Sequence, residues 1–478
     1  MSENNKPNIL LIMTDQQRGD CLGVAGHPVL LTPSMDAIAH NGVRFTRAYS
    51  TCPSCIAARR SLLSGQFPKT HGMVGYHSGV EWQLPPTLPQ VLRDNGYQTL
   101  MIGRSMHQYP QRRRMGFDQL IQQDEYLAWL EKNAPSDSGG WFGSGIMHND
   151  WTVNPWPLAE HLHFTNWTVN TALEAFARRD PSCPLFMVVS FIAPHPPLQP
   201  PAFYMDRYLR TGGPDPIIGD WETPPDPNGQ ACDTVSPNSL ALTGEALRSA
   251  RAAYYGSINH VDDQIRRLLN PINGIPPQLH GNTVILFTAD HGEMLGDHYR
   301  WRKQVPYESS ANIPLLIQAP ARFGIHPGRR VDQPVALEDI MPTLLDLAGC
   351  EIPATVEGRS LVPLLRGGKP AWRDYLTIEH APEHQSLTDG REKFIWLVAD
   401  GREQFFDLVA DPGERHNLIA DPRVADRVTL WRNRLIAELS GRPEGFTDGQ
   451  QLIPGRPFSA LLPGSPNTYR PSHIDPPY

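Results

Sequence analysis

Residues 8–14, Asn-Ile-Leu-Leu-Ile-Met-Thr, form an unbroken apolar run that stops abruptly at Asp15-Gln16-Gln17. A short run without polar alternation reads as a strand covered on both faces, the habit of parallel sheets. Its polar residues then arrive at the C-terminal end, where open α/β sheets hold their ligands. The pattern recurs along the chain. Residues 87–102 read as a helix stopped by Gly96 and followed by a strand. Residues 185–192 form an apolar strand that ends at Ala193-Pro194-His195, and 283–288 form another that ends at Asp290-His291-Gly292. A further strand is expected over 313–317, a long amphipathic helix over 244–269, and a helix over 339–348 that stops at Gly349. Strands alternating with helices imply a doubly wound α/β core. Acid and histidine at successive strand ends point to one shared crevice.

Beyond about residue 370 the texture changes. Residues 393–398 and 404–408 flank Asp400-Gly401, a hairpin signal, and a helix is expected over 422–439. The expected organisation is an α/β catalytic domain over 1–370, an α+β subdomain with a small antiparallel sheet over 371–440, and a Pro/Gly-rich tail over 441–478 that wanders over the surface. Proline, at 48 of 478 residues, is about twice its usual share, so many segments are turns and ordered loops.

The net charge of −8 leaves no basic face for nucleic acid. An anionic substrate must find its attraction in a local site. No apolar stretch is long enough for a membrane span or a signal-peptide core, so a cytoplasmic protein without a membrane partner is expected. The six cysteines, Cys21, Cys52, Cys55, Cys183, Cys232 and Cys350, are too few to staple the fold. Cys52 and Cys55 make a lone C-x-x-C pair. Zinc would need a second pair, whereas a redox pair remains open.

The segment Cys55-Ile56-Ala57-Ala58-Arg59, followed by Leu62-Leu63-Ser64-Gly65, resembles the signature of the formylglycine-dependent sulfatases of the alkaline phosphatase superfamily, C-x-(P/A)-x-R followed by an apolar pair and T/S-G. A frame starting at Cys52 puts Ile56 where arginine is required, so only Cys55 fits. The departure is Ala57 in place of the commoner proline. Further matches are Thr32-Pro33-Ser34-Met35-Asp36, Asp339 to Asp346, and Phe406-Asp407-Leu408 with Asp411-Pro412. The likeness thus spans roughly residues 7–440.

The resemblance implies an alkaline-phosphatase-like α/β fold, a large mixed sheet flanked by helices. It also implies that a separate formylglycine-generating enzyme converts Cys55 to formylglycine (3-oxoalanine). One hydroxyl of the hydrated aldehyde attacks sulfur, and the other expels the sulfate, splitting one hard step into two. A divalent metal, Ca²⁺ or Mn²⁺, is implied at Asp15, Gln16, Cys55, Asp290 and His291. Asp15-Gln16 departs from the Asp-Asp pair of many sulfatases. The run from Asp15 to Asp20 is similar to the branch of phosphonate monoester hydrolases and choline-sulfatase-like enzymes. Lys303 falls where the family binds sulfate and His195 where it faces the leaving group, as general acid. Arg104 and His107, in a G-K-x-H-like segment with one insertion, are the implied anion-binding cation and second-step base. Arg59 is implied to hold the nucleophile. Asn312 stands where many relatives carry arginine, which implies altered substrate contacts.

Taken singly, these groups read as solvated lysine, surface arginine and hydrogen-bonded histidine; in this order, on these strand ends, they read as a site. The expected activity is hydrolysis of a small-molecule or saccharide sulfate ester, with a carbohydrate sulfate ahead of an aryl or choline sulfate. The alternatives are a phosphonate monoester or phosphodiester hydrolase with the same nucleophile, a catalytically silent binding protein, and a C-x-x-C oxidoreductase. Trp82, Trp141, Trp151, Trp156 and Trp167 stand in loop-rich stretches, either to stack on a sugar or aryl ring or to pack beneath loops. A homo-oligomer is compatible with all of this.

Overall fold

The apolar run becomes β1 (Asn8–Asp15), and its lack of polar alternation has a simple cause. Ile9, Leu11 and Met13 enter one hydrophobic core, while Leu10 and Ile12 enter another on the opposite face. The computed structural model describes residues 6–146, 149, 151–225, 239–270, 272, 274–275, 281–465 and 467–469; Cys232 lies outside them.

The main elements around this strand follow in chain order. They are β2 (Val43–Phe45), α1 (Cys55–Ser64), α2 (Leu88–Asp94), β3 (Gln98–Gly103), β4 (Gln119–Gln122), α3 (Gln123–Asn133), α4 (Phe164–Ala177), β5 (Leu185–Pro194), α5 (Gly244–Leu268), β6 (Thr283–Ala289), β7 (Leu315–Gln318), β8 (Arg329–Val331) and α6 (Ile340–Ala348). Eight strands make one sheet in the order β8-β2-β7-β6-β1-β5-β3-β4. β1 runs parallel to β5 and β6, with Ile12 opposite Val189 and Phe287, and β3 runs parallel to β5. These four strands deliver their C-terminal ends to one edge. β7 is antiparallel to both β6 and β2, so the sheet is mixed. α1, α2 and α6 cover one face, and α4 and α5 the other.

Local signals explain the boundaries. The Thr87 hydroxyl caps α2 by accepting from the Gln90 amide at 3.4 Å, and Gly96 beyond it takes a left-handed φ of 87°. The strand expected over 313–317 begins instead at Leu315. Pro314 has no N–H to donate to a ladder, and the Ile313 amide turns to the Ala48 carbonyl at 2.9 Å. Among the described residues no helix is long and apolar enough to cross a membrane.

The C-terminal part is an antiparallel meander of β9 (Leu376–His380), β10 (His384–Thr388), β11 (Glu392–Leu397) and β12 (Glu403–Asp407). The helix α7 (Ala425–Leu439) packs Val428, Trp431 and Leu435 against Leu387, Phe394 and Phe405. The expected hairpin at Asp400-Gly401 is the β11–β12 turn. This sheet is stitched to the larger one. The Glu379 amide donates to the Thr51 carbonyl at 2.9 Å, and the buried Lys393 ammonium sits between Glu308 at 2.9 Å and Glu414 at 2.7 Å.

The tail departs from expectation. Phe446 is fully buried edge-on to Trp396 and Phe458, and Asn467–Tyr469 pairs antiparallel with Val80–Trp82. Isolated apolar residues among proline and glycine carry no period, yet Phe446, Phe458 and Leu462 find slots on the C-terminal core.

Candidate active site

Cys55 opens α1, a helix in which every residue is buried. The first turn of a helix leaves amide N–H groups unpaired, which favours negative charge there. The Cys55 sulfur lies 3.1 Å from His291 Nε2 and 3.7 Å from Asp15 Oδ1. One ligand atom from each of Asp15, Cys55, Asp290 and His291 lies within 4.8 Å of the others, and all four residues are buried. Asp15 comes from the end of β1, Asp290 and His291 from beyond β6, and Cys55 from α1 on the adjacent face. Strands β1 and β6 are neighbours in register, so residues far apart in sequence meet at one edge.

Arg59, one helical turn after Cys55, is wholly buried and sets the two carboxylates. Its Nε donates to Asp290 Oδ2 at 2.9 Å and its Nη2 to Asp15 Oδ2 at 3.0 Å. Its Nη1 reaches the Ser105 carbonyl at 2.8 Å and the Ser190 hydroxyl at 3.3 Å. Four of the five N–H groups of a guanidinium are thereby engaged. The Oδ1 atoms of both aspartates face His291 Nε2, at 3.9 and 3.7 Å. Arg104 adds a second cation to Asp15, Nε to Oδ2 at 3.3 Å. Burial works against a charge on Asp15, but His195, Arg59 and Arg104 outweigh it and hold the carboxyl well below its ordinary range.

The donor set fits a divalent cation of the oxygen-and-imidazole type. His291 Nδ1 lies 3.0 Å from the Gly292 carbonyl; a carbonyl only accepts, so the proton sits on Nδ1 and Nε2 points at the cluster. Burial disfavours a charged His291, yet Asp290 and the Cys55 sulfur raise it to about 9. Two buried carboxylates beside a sulfur call for positive charge at this spot.

On the far side, Lys303 Nζ lies 2.6 Å from Gln16 Oε1 and 3.0 Å from His195 Nε2. His195 Nδ1 lies 2.5 Å from the Pro196 carbonyl. The ammonium can only donate and the carbonyl only accept, so His195 is neutral with its lone pair at Nε2. Burial, reinforced by Lys303, keeps its pKa well below the histidine norm. With that ring neutral, Arg59, Arg104 and the cationic His291 are what persist of the field on Asp15. His107 approaches Arg104, Nε2 to Nη2 at 3.3 Å, and burial with Arg104 and Arg59 holds it neutral as well.

Every residue expected at the site from the sequence therefore gathers here. Gln16 differs from expectation in what it touches. Its amide oxygen takes Lys303, and its nitrogen donates to Glu293. A left-handed φ of 71° turns its backbone so that the amide donates to Asp290 Oδ1 at 3.0 Å while the carbonyl accepts from Tyr254 at 2.7 Å. Such conformations cluster at functional sites. Sequence reasoning misses Glu293, Ser190 and Gln123, the last of which takes Arg104 Nη1 at 3.2 Å. Only Glu293, three residues after Asp290, carries a signal in its position. Asn312 packs against the Thr46 and Gly19 backbones and makes a joint rather than a cation site. Cys52 is a free, fully buried thiol; burial, with Glu379 and Glu338, pushes its pKa well up, which makes a poor redox partner.

A family model described as Sulfatase matches residues 7–350, and one described as N-sulphoglucosamine sulphohydrolase, C-terminal, matches residues 296–440. An arylsulfatase of Clostridium perfringens is 41% identical over 95% of this chain and 99% of its own. A choline-sulfatase of Rhizobium meliloti is 31% identical over 89% of this chain and 85% of its own. Among solved structures, the phosphonate monoester hydrolase of Agrobacterium radiobacter superposes with a TM-score of 0.76 at 26% identity, covering 90% of this chain and 95% of that one. The family match over most of the length, and the arylsulfatase likeness from end to end, place this chain in the sulfatase family as a sulfuric ester hydrolase.

Proposed function

We propose that the chain hydrolyses a sulfate monoester, R–O–SO₃⁻, to an alcohol and sulfate at Cys55, after a formylglycine-generating enzyme has oxidised that residue. The observation that carries this reading is the 3.1 Å approach of the Cys55 sulfur to His291 Nε2 inside the Asp15–Asp290 cluster, with Lys303 and His195 opposite. Asp15, Asp290 and His291 would hold a divalent ion, Ca²⁺ or Mn²⁺, with the side chain at 55; when bound, it supplies Lewis acidity toward the sulfate oxygens and the nucleophile. When matured, residue 55 supplies two hydroxyls on one carbon, the first to attack sulfur and the second to let sulfate leave.

The chain's own groups do the rest. Arg59 orients both carboxylates and keeps one N–H for the nucleophile. Lys303 and Arg104 place fixed positive charge where the sulfate oxygens gain negative charge, and stabilisation of this kind usually contributes more to the rate than any other single effect. The proton that the departing alcohol oxygen needs comes from His195 Nε2, which takes it up from solvent as the sulfate draws the Lys303 ammonium to itself and frees that nitrogen. His107, neutral beside Arg104, serves as base in the second step. Gln16 orients Lys303 through its amide oxygen, whose second lone pair remains for the ion.

A second reading rests on Gln16 standing where many sulfatases carry a second aspartate: a phosphonate monoester hydrolase using the same nucleophile. The deciding experiment pairs two measurements on protein co-expressed with a formylglycine-generating enzyme. Peptide mass spectrometry across Cys55 is expected to show a loss of about 18 Da, the aldehyde that the covalent route needs. Turnover of 4-nitrophenyl sulfate is expected to exceed that of the matched phenylphosphonate ester. An intact thiol would overturn the nucleophile, and the reverse substrate order would favour the phosphonate reading.

A further inference from the structure

Lys303 is the cation set to meet the sulfate, and its ammonium has three N–H bonds and no acceptor. One bond points to Gln16 Oε1 at 2.6 Å and one to His195 Nε2 at 3.0 Å. The sulfate displaces the His195 bond when it draws the ammonium to itself, so the Gln16 bond is the tether that remains. That tether holds only while the Gln16 amide presents its oxygen. The two ends of an amide are close in size and opposite in hydrogen-bond sense, so a neighbour must fix which end faces Lys303.

That neighbour is Glu293, 3% exposed. Its Oε2 accepts from Gln16 Nε2. A carboxylate only accepts and an ammonium only donates, so the amide between them has a single polarity. The other oxygen, Oε1, accepts from the backbone amides of Leu295, at 2.9 Å, and of Arg302. Both donors sit at left-handed φ, 50° and 70°, conformations that persist only where the surroundings over-determine them. The Met294 amide closes the same loop on the Arg302 carbonyl at 2.6 Å, and Lys303 is the next residue. One carboxylate thus touches both the amide that holds the ammonium and the backbone that leads into Lys303.

The carboxylate is itself well anchored. The Glu293 amide donates to the Ser309 carbonyl at 2.9 Å, and the Gly292 amide to the Ser310 carbonyl at 2.7 Å. Gly292 permits that approach, since a Cβ there would lie 2.1 Å from the Ser309 carbonyl oxygen. Across the site, Tyr254 of α5 donates to the Gln16 carbonyl at 2.7 Å. The backbones at 16 and 293 are therefore both tied.

We propose that Glu293 is a positioning residue for the anion site: it sets the polarity of the Gln16 amide and, through Arg302, the path of Lys303, so that the ammonium is aimed at the sulfate. The identity of that anion rests on the sulfatase reading above.

The two side chains can exchange places without reversing any hydrogen bond. Glu293→Gln alone leaves one oxygen at 293. When that oxygen takes the Leu295 and Arg302 amides, the new nitrogen meets the Gln16 nitrogen, and Gln16 must turn its NH₂ toward Lys303. Gln16→Glu alone sets two carboxylates face to face. With both substitutions, the nitrogen at 293 donates to the carboxylate at 16, whose other oxygen still accepts from Lys303.

The test is that exchange in the full chain, read in two ways. Inorganic sulfate is titrated calorimetrically into the Cys55→Ser chain supplied with Mn²⁺, and turnover of 4-nitrophenyl sulfate is followed in the matured enzyme, with thermal melting alongside. Each single substitution is expected to weaken sulfate binding and to lower kcat/KM about tenfold or more, as loss of a hydrogen bond to a charged group does. The double exchange is expected to recover both to within about threefold of the parent. Gln16→Glu leaves the bonds of Glu293 to the loop in place, so it reads the amide polarity separately from loop closure. Parental sulfate binding in both single variants, or no sulfate binding by the parent, overturns the proposal. So does a double exchange whose loss is the product of the two single losses, or one that recovers melting but not sulfate affinity. The expected pattern of sulfate binding in a matured enzyme that leaves 4-nitrophenyl sulfate intact would overturn the sulfatase reading and uphold the positioning role.

Discussion

Arg59→Lys keeps the charge of the buried cation and removes its shape. The guanidinium reaches Asp290 at 2.9 Å, Asp15 at 3.0 Å and the Ser105 carbonyl at 2.8 Å at once. An ammonium is a compact point charge without the planar fork, so it satisfies one carboxylate and releases the other. Each charge-assisted hydrogen bond lost costs about 1.5–3 kcal/mol, and about 1.4 kcal/mol is a factor of ten in a binding constant. The freed carboxylate no longer aims its Oδ1 at the cluster. Binding of the divalent ion is therefore expected to weaken about 10- to 100-fold, the usual effect of removing a group that orients a metal ligand. The assay is calorimetric titration of metal-stripped protein with Mn²⁺ and with Ca²⁺, alongside thermal unfolding. A variant that melts with the parent and binds the ion at the parental affinity refutes the orienting role. Unchanged ion affinity with a lost kcat would assign Arg59 to the nucleophile instead.

Further expectations can be checked directly. His195→Asn should lower kcat by about 10²–10⁴-fold for a sulfate ester of a poor leaving alcohol and far less for 4-nitrophenyl sulfate, because general acid catalysis matters most when the leaving oxygen needs the proton; equal losses on both substrates would dismiss that role. Cys52→Ala should leave turnover within about twofold of the parent, since its buried thiol is a poor redox partner; a reversible Cys52–Cys55 disulfide found by mass spectrometry would contradict this. Asp262 accepts from the Ser34 and Met35 amides at 3.0 and 2.8 Å, and burial raises it to about 7. A carboxyl whose folded pKa lies above its unfolded value makes folding less favourable as pH rises between the two. Asp262→Asn should thus gain stability relative to the parent from pH 4 to 7, by up to about 4 kcal/mol; urea midpoints of the pair that stay parallel across this range would refute the shift.

Much of this architecture was legible locally. The apolar runs at 8–14, 185–192 and 283–288 could only be two-sided strands, because a one-sided strand alternates. The polar residues following them had to appear at strand ends. The frame that excludes Cys52 was likewise a property of the string, since Ile56 cannot stand for an arginine. The stop at Gly96 was readable because caps are short-range chemistry.

What stayed hidden depended on separation. Gln16 and Lys303 are 287 residues apart, and no local pattern states that an amide oxygen expected to face a metal would take that ammonium. The targets of Arg59 follow from the register of β1 against β6, which places Asp15 and Asp290 side by side. The tail looked like surface because Phe446 and Phe458 have no period, although the C-terminal core had room for both. β7 could be recognised as a strand, but its antiparallel direction is set by the path from β6 through the Lys303 loop. The sequence by itself determined which segments are strands and which residue types reach their ends, since backbone geometry and burial act over a few residues. The tertiary structure alone decided which of those groups touch, because hydrogen-bond chemistry operates within about 3 Å and only the packed sheet brings distant strand ends that close.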